Sequence, residues 1–119
     1  MIDLTSKKCF VCEVGGLPLS QQPVEKLLLE VRGWSADAEF KKIFKKWKFT
    51  DFKTAMAFAD KIAALAEEEG HHPELRVAWG EVKVSLWTHA VGGLSENDFI
   101  LAAKISAIGG PASGWDKLQ

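Results

Sequence analysis

The sequence lacks a surplus of either charge, a long apolar run and more than a pair of thiols, and each shortage closes a class of function. Fifteen Lys and Arg against sixteen Asp and Glu leave a formal charge of -1. No global field therefore draws the chain to phosphate backbones or anionic lipid, and nucleic-acid binding through bulk charge is excluded. Apolar stretches such as Ile62–Ala66 and Phe99–Ala103 run for no more than five residues, where a bilayer span needs about 18 or more. Asp3, Thr5, Ser6, Lys7 and Lys8 crowd the amino terminus with no apolar stretch behind them, so no secretory leader is expected and the cytoplasm is the expected compartment. The two cysteines, Cys9 and Cys12, could close only a tiny loop, which adds little to a domain with its own core.

What is present is the composition of one soluble globular domain: 119 residues, 47% hydrophobic and 26% charged. Such a chain can bury about two-thirds of the surface it exposes when unfolded, and disorder is excluded. Residues 1–19 carry Gly15, Gly16 and Pro18 without sustained periodicity and read as an arm. The domain spans 20–108, and 109–119 reads as a loose tail after Gly109, Gly110 and Pro111.

Within the domain, Ser20 introduces a first helix whose apolar face is Val24, Leu27, Leu28 and Val31, stopped at Gly33. The stretch 40–49 fits both periods, and its aromatic richness favours a strand, with Lys41, Lys42, Lys45, Lys46 and Lys48 as a solvated edge. Thr50 caps the clearest helix, with Asp51 in its first turn and the stripe Phe52, Ala55, Met56, Ala59, Ile62, Ala63 and Ala66 ending at Gly70. Two strands follow, 75–79 and 81–89; in the second, Val82, Val84, Leu86 and Thr88 share one face while Lys83, Ser85, Trp87 and His89 share the other. A last helix opens at Ser95, with Asp98 placed as its capping-box partner, and runs to about Ile108. It is apolar nearly all round, from Phe99 to Ile108, so part of it is expected to meet another subunit.

All three histidines fall within 71–89. Pro73 fixes the path after His71 and His72, so both rings are aimed. Imidazole exchanges protons near neutral pH, which suits acid–base catalysis. Glu67, one turn before His71, is the candidate for orienting a ring, whereas Glu68 and Glu69 read as exposed and solvated. Zinc is disfavoured, because adjacent histidines diverge and the thiols lie far back in the arm; those thiols read as incidental to the activity. No serine elbow or glycine-rich phosphate loop is present. What remains is proton transfer on a small, neutral, aromatic substrate, for which Trp34, Trp79 and Trp87 offer flat walls.

Glu67, the His71-His72-Pro73 turn, Trp79, the run from Val82 to Thr88-His89, and Gly93-Leu94-Ser95 with Asp98 occur together and in order. With Gly33-Trp34 and Asp51-Phe52-Lys53 upstream, the sequence resembles the pterin-4a-carbinolamine dehydratase family over about residues 20–108. The resemblance implies an α+β fold, an antiparallel four-stranded sheet with three helices packed on one face, assembling as homodimers or homotetramers. It implies dehydration of 4a-hydroxytetrahydropterin, the product of an aromatic amino acid hydroxylase, to quinonoid dihydropterin, with no metal or organic cofactor. His71 and His89 would transfer protons and His72 would place the hydroxyl. Glu67 would orient a histidine, Asp98 would hold His72 while also serving as a helix cap, and Trp34 would cover the site. Pro73 and Thr88 would shape it. Leu75 stands where animal members often carry an aromatic residue. The alternatives are a regulatory binding protein of the same fold, since animal members also stabilise dimers of a homeodomain transcription factor, and a metal-dependent lyase or hydrolase using the same histidines. Neither direct nucleic-acid binding nor membrane association is implied.

Overall fold

The computed structural model describes residues 4–9 and 16–108; Cys12 and the tail 109–119 lie outside the described residues. Helix α1 (Gln21–Leu28) buries Val24, and Gly33, at φ 85°, redirects the chain beyond it. A short strand β1 (Ser35–Ala36) precedes β2 (Ile43–Lys48). The 40–49 stretch resolves as a strand because Ile43 and Trp47 enter the core while Lys46 and Lys48 remain exposed.

Helix α2 spans Phe52–Glu69. Its cap is Asp51 rather than Thr50: the Asp51 carboxylate accepts from the Thr54 N–H at 2.7 Å, and a negative charge there also suits the helix dipole. That hydrogen bond holds the Asp51 carboxyl below its ordinary value. The buried face runs through Ala55, Phe58, Ala59, Ile62 and Ala66, leaving Phe52 and Met56 exposed. The stripe is rotated toward Phe58 because that ring stacks on Trp47 and Phe49, at centroid distances of 5.0 and 5.4 Å.

Strands β3 (Glu74–Ala78) and β4 (Glu81–Leu86) make a hairpin around Trp79 and Gly80. The sheet is antiparallel, in the order β1-β2-β4-β3. Val82, Val84 and Leu86 of the central strand β4 are completely buried, as the alternating pattern requires. On its opposite face Ser85 is buried too, and Lys83 stands directly between Lys46 and Arg76. Helices and the inner sheet face share one core that includes Val24, Ile62, Val84 and Phe99.

A further expectation changes. The second hairpin strand stops at Leu86 instead of continuing through His89. Thr88 bridges Gly93, so the chain doubles back, and His89 sits on a 3₁₀ turn (His89–Val91) closed by Gly92 at φ 69°. Helix α3 (Glu96–Ala107) begins with the Ser95/Asp98 capping box, and its Phe99, Ile100, Leu101, Ala102 and Ile105 are buried within the one chain. The arm accounts for this. A single 3₁₀ turn (Leu4–Ser6) lies against α3 with Leu4 in the core, and Lys7 pairs with Glu96 at 3.0 Å.

Candidate active site

The site begins where α2 ends. Gly70 adopts φ 68°, and its N–H closes on the Ala66 carbonyl at 2.9 Å. A left-handed residue here terminates the helix and sends the next two side chains in different directions. His71 turns inward, its side chain only 12% exposed, and its Nε2 lies 2.6 Å from Asp98 Oδ1. Asp98 is fully buried; its Oδ2 accepts from Thr88 Oγ1 at 2.8 Å and from the Ser95 N–H at 2.9 Å. Thr88 Oγ1 is in turn 2.7 Å from Ser95 Oγ. A carboxylate can only accept, so the His71 proton sits on Nε2 and Nδ1 is left as the free nitrogen.

His72 turns outward and pairs through Nε2 with Glu67, with both side chains largely in solvent. One partner differs from the family-based expectation: Asp98 holds His71, not His72, while Glu67 pairs with a histidine as expected, His72. The cause is the Gly70 turn, which carries His71 beneath the start of α3 and leaves His72 beside the last turn of α2. Asp98 is both helix cap and ring holder, because its two oxygens serve the two tasks separately.

His89 projects from the 3₁₀ turn. Its Nδ1 accepts from the Trp87 indole N–H at 3.4 Å, and the two rings meet edge-on at 5.1 Å. With Nδ1 accepting, the proton of the neutral ring is on Nε2, the same tautomer as His71, but here the neighbour holds the bare nitrogen and leaves the N–H. Lys42 lies 4.3 Å above the Trp87 ring.

His71, His72 and His89 line one cavity of about 390 Å³, together with Trp87 and Thr88. Trp34, expected over the site, is elsewhere: it is buried edge-on to Trp47 and its indole N–H donates to Ser106 Oγ at 2.9 Å. A large aromatic ring beside a strand lowers its free energy most by filling the core. Trp87 supplies the wall instead, while Trp79 is exposed on the hairpin and Leu75 packs against the core. Pro73 and Glu67 do not line the cavity.

Cys9, Glu69 and Asn97 also line the cavity, none of them expected there. Glu69, expected in solvent, is buried, with Lys104 Nζ at 2.8 Å and the Cys9 N–H at 3.0 Å. Burial alone would raise its carboxyl, but hydrogen bonds from Lys104 and Cys9, with the Lys104 charge, outweigh it and hold the group below 4.5. The signal existed: Glu69 follows Ala66 by three positions and Ile62 by seven, on the buried stripe of α2. Cys9 Sγ lies 3.6 Å from the Asn97 carbonyl, and burial together with the Glu69 charge pushes its thiol up to about 12. Among the described residues, no three His, Cys, Asp or Glu side chains are grouped to hold a metal ion, and no helix is long and apolar enough to cross a membrane.

The sequence model of the family described as pterin 4 alpha carbinolamine dehydratase matches residues 17–108. A putative pterin-4-alpha-carbinolamine dehydratase of Rickettsia canadensis is 49% identical over 108 residues, 90% of this chain and 98% of the relative. The Arabidopsis thaliana protein named pterin-4-alpha-carbinolamine dehydratase 2, mitochondrial, is 43% identical over 91% of this chain, which spans 60% of its length. Among solved structures, a Brucella melitensis protein described as a transcriptional coactivator/pterin dehydratase superposes with a TM-score of 0.73 at 35% identity, covering 78% of this chain and 99% of that one. The chain belongs to the pterin 4 alpha carbinolamine dehydratase family and is, by that membership, an enzyme of the hydro-lyase class.

Proposed function

We propose that this protein converts 4a-hydroxytetrahydropterin to quinonoid dihydropterin and water by histidine acid–base catalysis, recycling the cofactor of an aromatic amino acid hydroxylase. The observation that carries the reading is the cavity lined by all three imidazoles, two of which are held by their neighbours on opposite nitrogens, so that His71 keeps a bare nitrogen and His89 an N–H. His71, with Nδ1 free, takes the proton from N5 of the pterin. The N5 electron pair forms the C4a=N5 double bond, and the C4a–O bond breaks with its electrons on oxygen. His89 delivers its Nε2 proton to that oxygen while its Nδ1 takes one from solvent, so the ring stays neutral, and water leaves. One proton is accepted and one given, so the step balances without a redox partner.

Trp87 offers a flat wall against the bicyclic ring, and His72, at the exposed rim with Glu67, places the hydroxyl. Asp98 stabilises the imidazolium that forms on His71 through the bond it already makes. General acid or base groups are each worth about 10²–10⁴ in rate. His71→Ala and His89→Ala should each slow stopped-flow dehydration of the hydroxypterin by at least about a hundredfold, with activity surviving chelator treatment. Unchanged rates in both variants would end the assignment.

A further inference from the structure

The family match begins at residue 17, yet one wall of the histidine cavity comes from before it. Cys9 lines that cavity, and three independent contacts fix the segment that carries it. Leu4 is buried in the core, Lys7 pairs with Glu96, and the Cys9 N–H donates to Glu69. Glu69 is itself held by Lys104, so its carboxylate joins the end of α2, helix α3 and the arm at the cavity edge. The thiol donates toward the Asn97 carbonyl. Such a group stays neutral and presents a soft, weakly polar surface.

We infer that the arm is part of the substrate site: Cys9 is a specificity-determining contact for the pterin, and Glu69 is a positioning residue that acts through the Cys9 backbone. The inference rests on the dehydratase reading. The arm adds Cys9 to a lining otherwise drawn from residues 69–72, 87–90 and Asn97, and the space left by a small thiol limits what the bound heterocycle can carry there. Glu69 performs no proton transfer, since both of its oxygens are already occupied by Lys104 and Cys9.

The test uses the full chain with Cys12→Ser as background. Cys9→Phe should raise KM for the hydroxypterin about tenfold or more while leaving kcat within about threefold, and should weaken 7,8-dihydrobiopterin binding, followed by quenching of tryptophan fluorescence, to the same degree. Glu69→Gln should raise KM in the same direction, and adding Cys9→Phe to it should have less than its separate effect, because both act on one wall. As a readout that needs no bulky substitution, 7,8-dihydrobiopterin should slow modification of Cys9 by a small thiosulfonate reagent at mildly alkaline pH. Unchanged KM in Cys9→Phe, or, if that variant does not fold, no protection of Cys9, overturns the inference while the dehydratase reading stands. Failure of the unsubstituted protein to dehydrate the hydroxypterin or bind dihydrobiopterin overturns both.

Discussion

Two histidine–carboxylate pairs stand side by side in sequence and are opposite in physics. His71–Asp98 is enclosed, its side chains 12% and 0% exposed, and its carboxylate accepts three hydrogen bonds. His72–Glu67 is a lone contact with side chains 61% and 77% exposed. Water competes for the second pair and long side chains lose entropy to form it, so it contributes little to stability. Inside the first, removing one partner strands the others, which is why the same chemistry matters more there. Adjacent residues thus divide into a fixed ring and an adaptable one, and the left-handed Gly70 between helix and turn is what divides them.

The sharpest way to break the contrast is Asp98→Asn. The amide would have to donate where Asp98 accepts, facing either the His71 proton or the Thr88 hydroxyl. Loss of about 10²–10⁴ in kcat and about 3 kcal/mol of stability are expected, measured by stopped-flow turnover and urea unfolding. Glu69→Gln extends the comparison to a buried carboxylate paired with lysine. Because the folded-state carboxyl lies below its usual 4.5, its contribution is present above that pH and is lost as pH falls through the folded value. The variant should be less stable near neutrality, by up to about 3 kcal/mol, and should lose less on further acidification, as read from melting curves across pH.

Gly70→Ala tests the divider. Nothing crowds the added methyl group, so the cost is backbone strain at φ 68°, about 1 kcal/mol, seen as a lower urea midpoint. Smallest of all should be Glu67→Gln, with stability changed by less than about 0.5 kcal/mol and a rate loss well below that of Asp98→Asn. Equal rate losses in the two carboxylate variants would erase the distinction between the pairs.

Much of the architecture was legible because local chemistry and tertiary packing agree. The alternation of Val82, Val84 and Leu86 marked the inner face of β4, and Ser95 with Asp98 marked the start of α3. The three histidines and their two carboxylates were legible as a group, while the match of Asp98 to His71 was not: it depends on the direction of consecutive side chains after a left-handed residue, which spacing does not encode. Trp34 was misread because an aromatic ring suits a core as well as a binding wall. The docking of the arm escaped notice because it comes from separated single contacts, Leu4, Lys7 and Cys9, with no periodic pattern to reveal them.

The opposed locks on the two rings, Asp98 on Nε2 of His71 and Trp87 on Nδ1 of His89, bear on the direction of the proposed chemistry. Each forward turnover leaves Nδ1 of the first ring loaded and Nε2 of the second emptied, which is the arrangement that hydration of the product requires. By microscopic reversibility the same cavity would speed water addition as readily as water loss, so net flow would be set by whichever neighbouring reaction removes one of the two pterins.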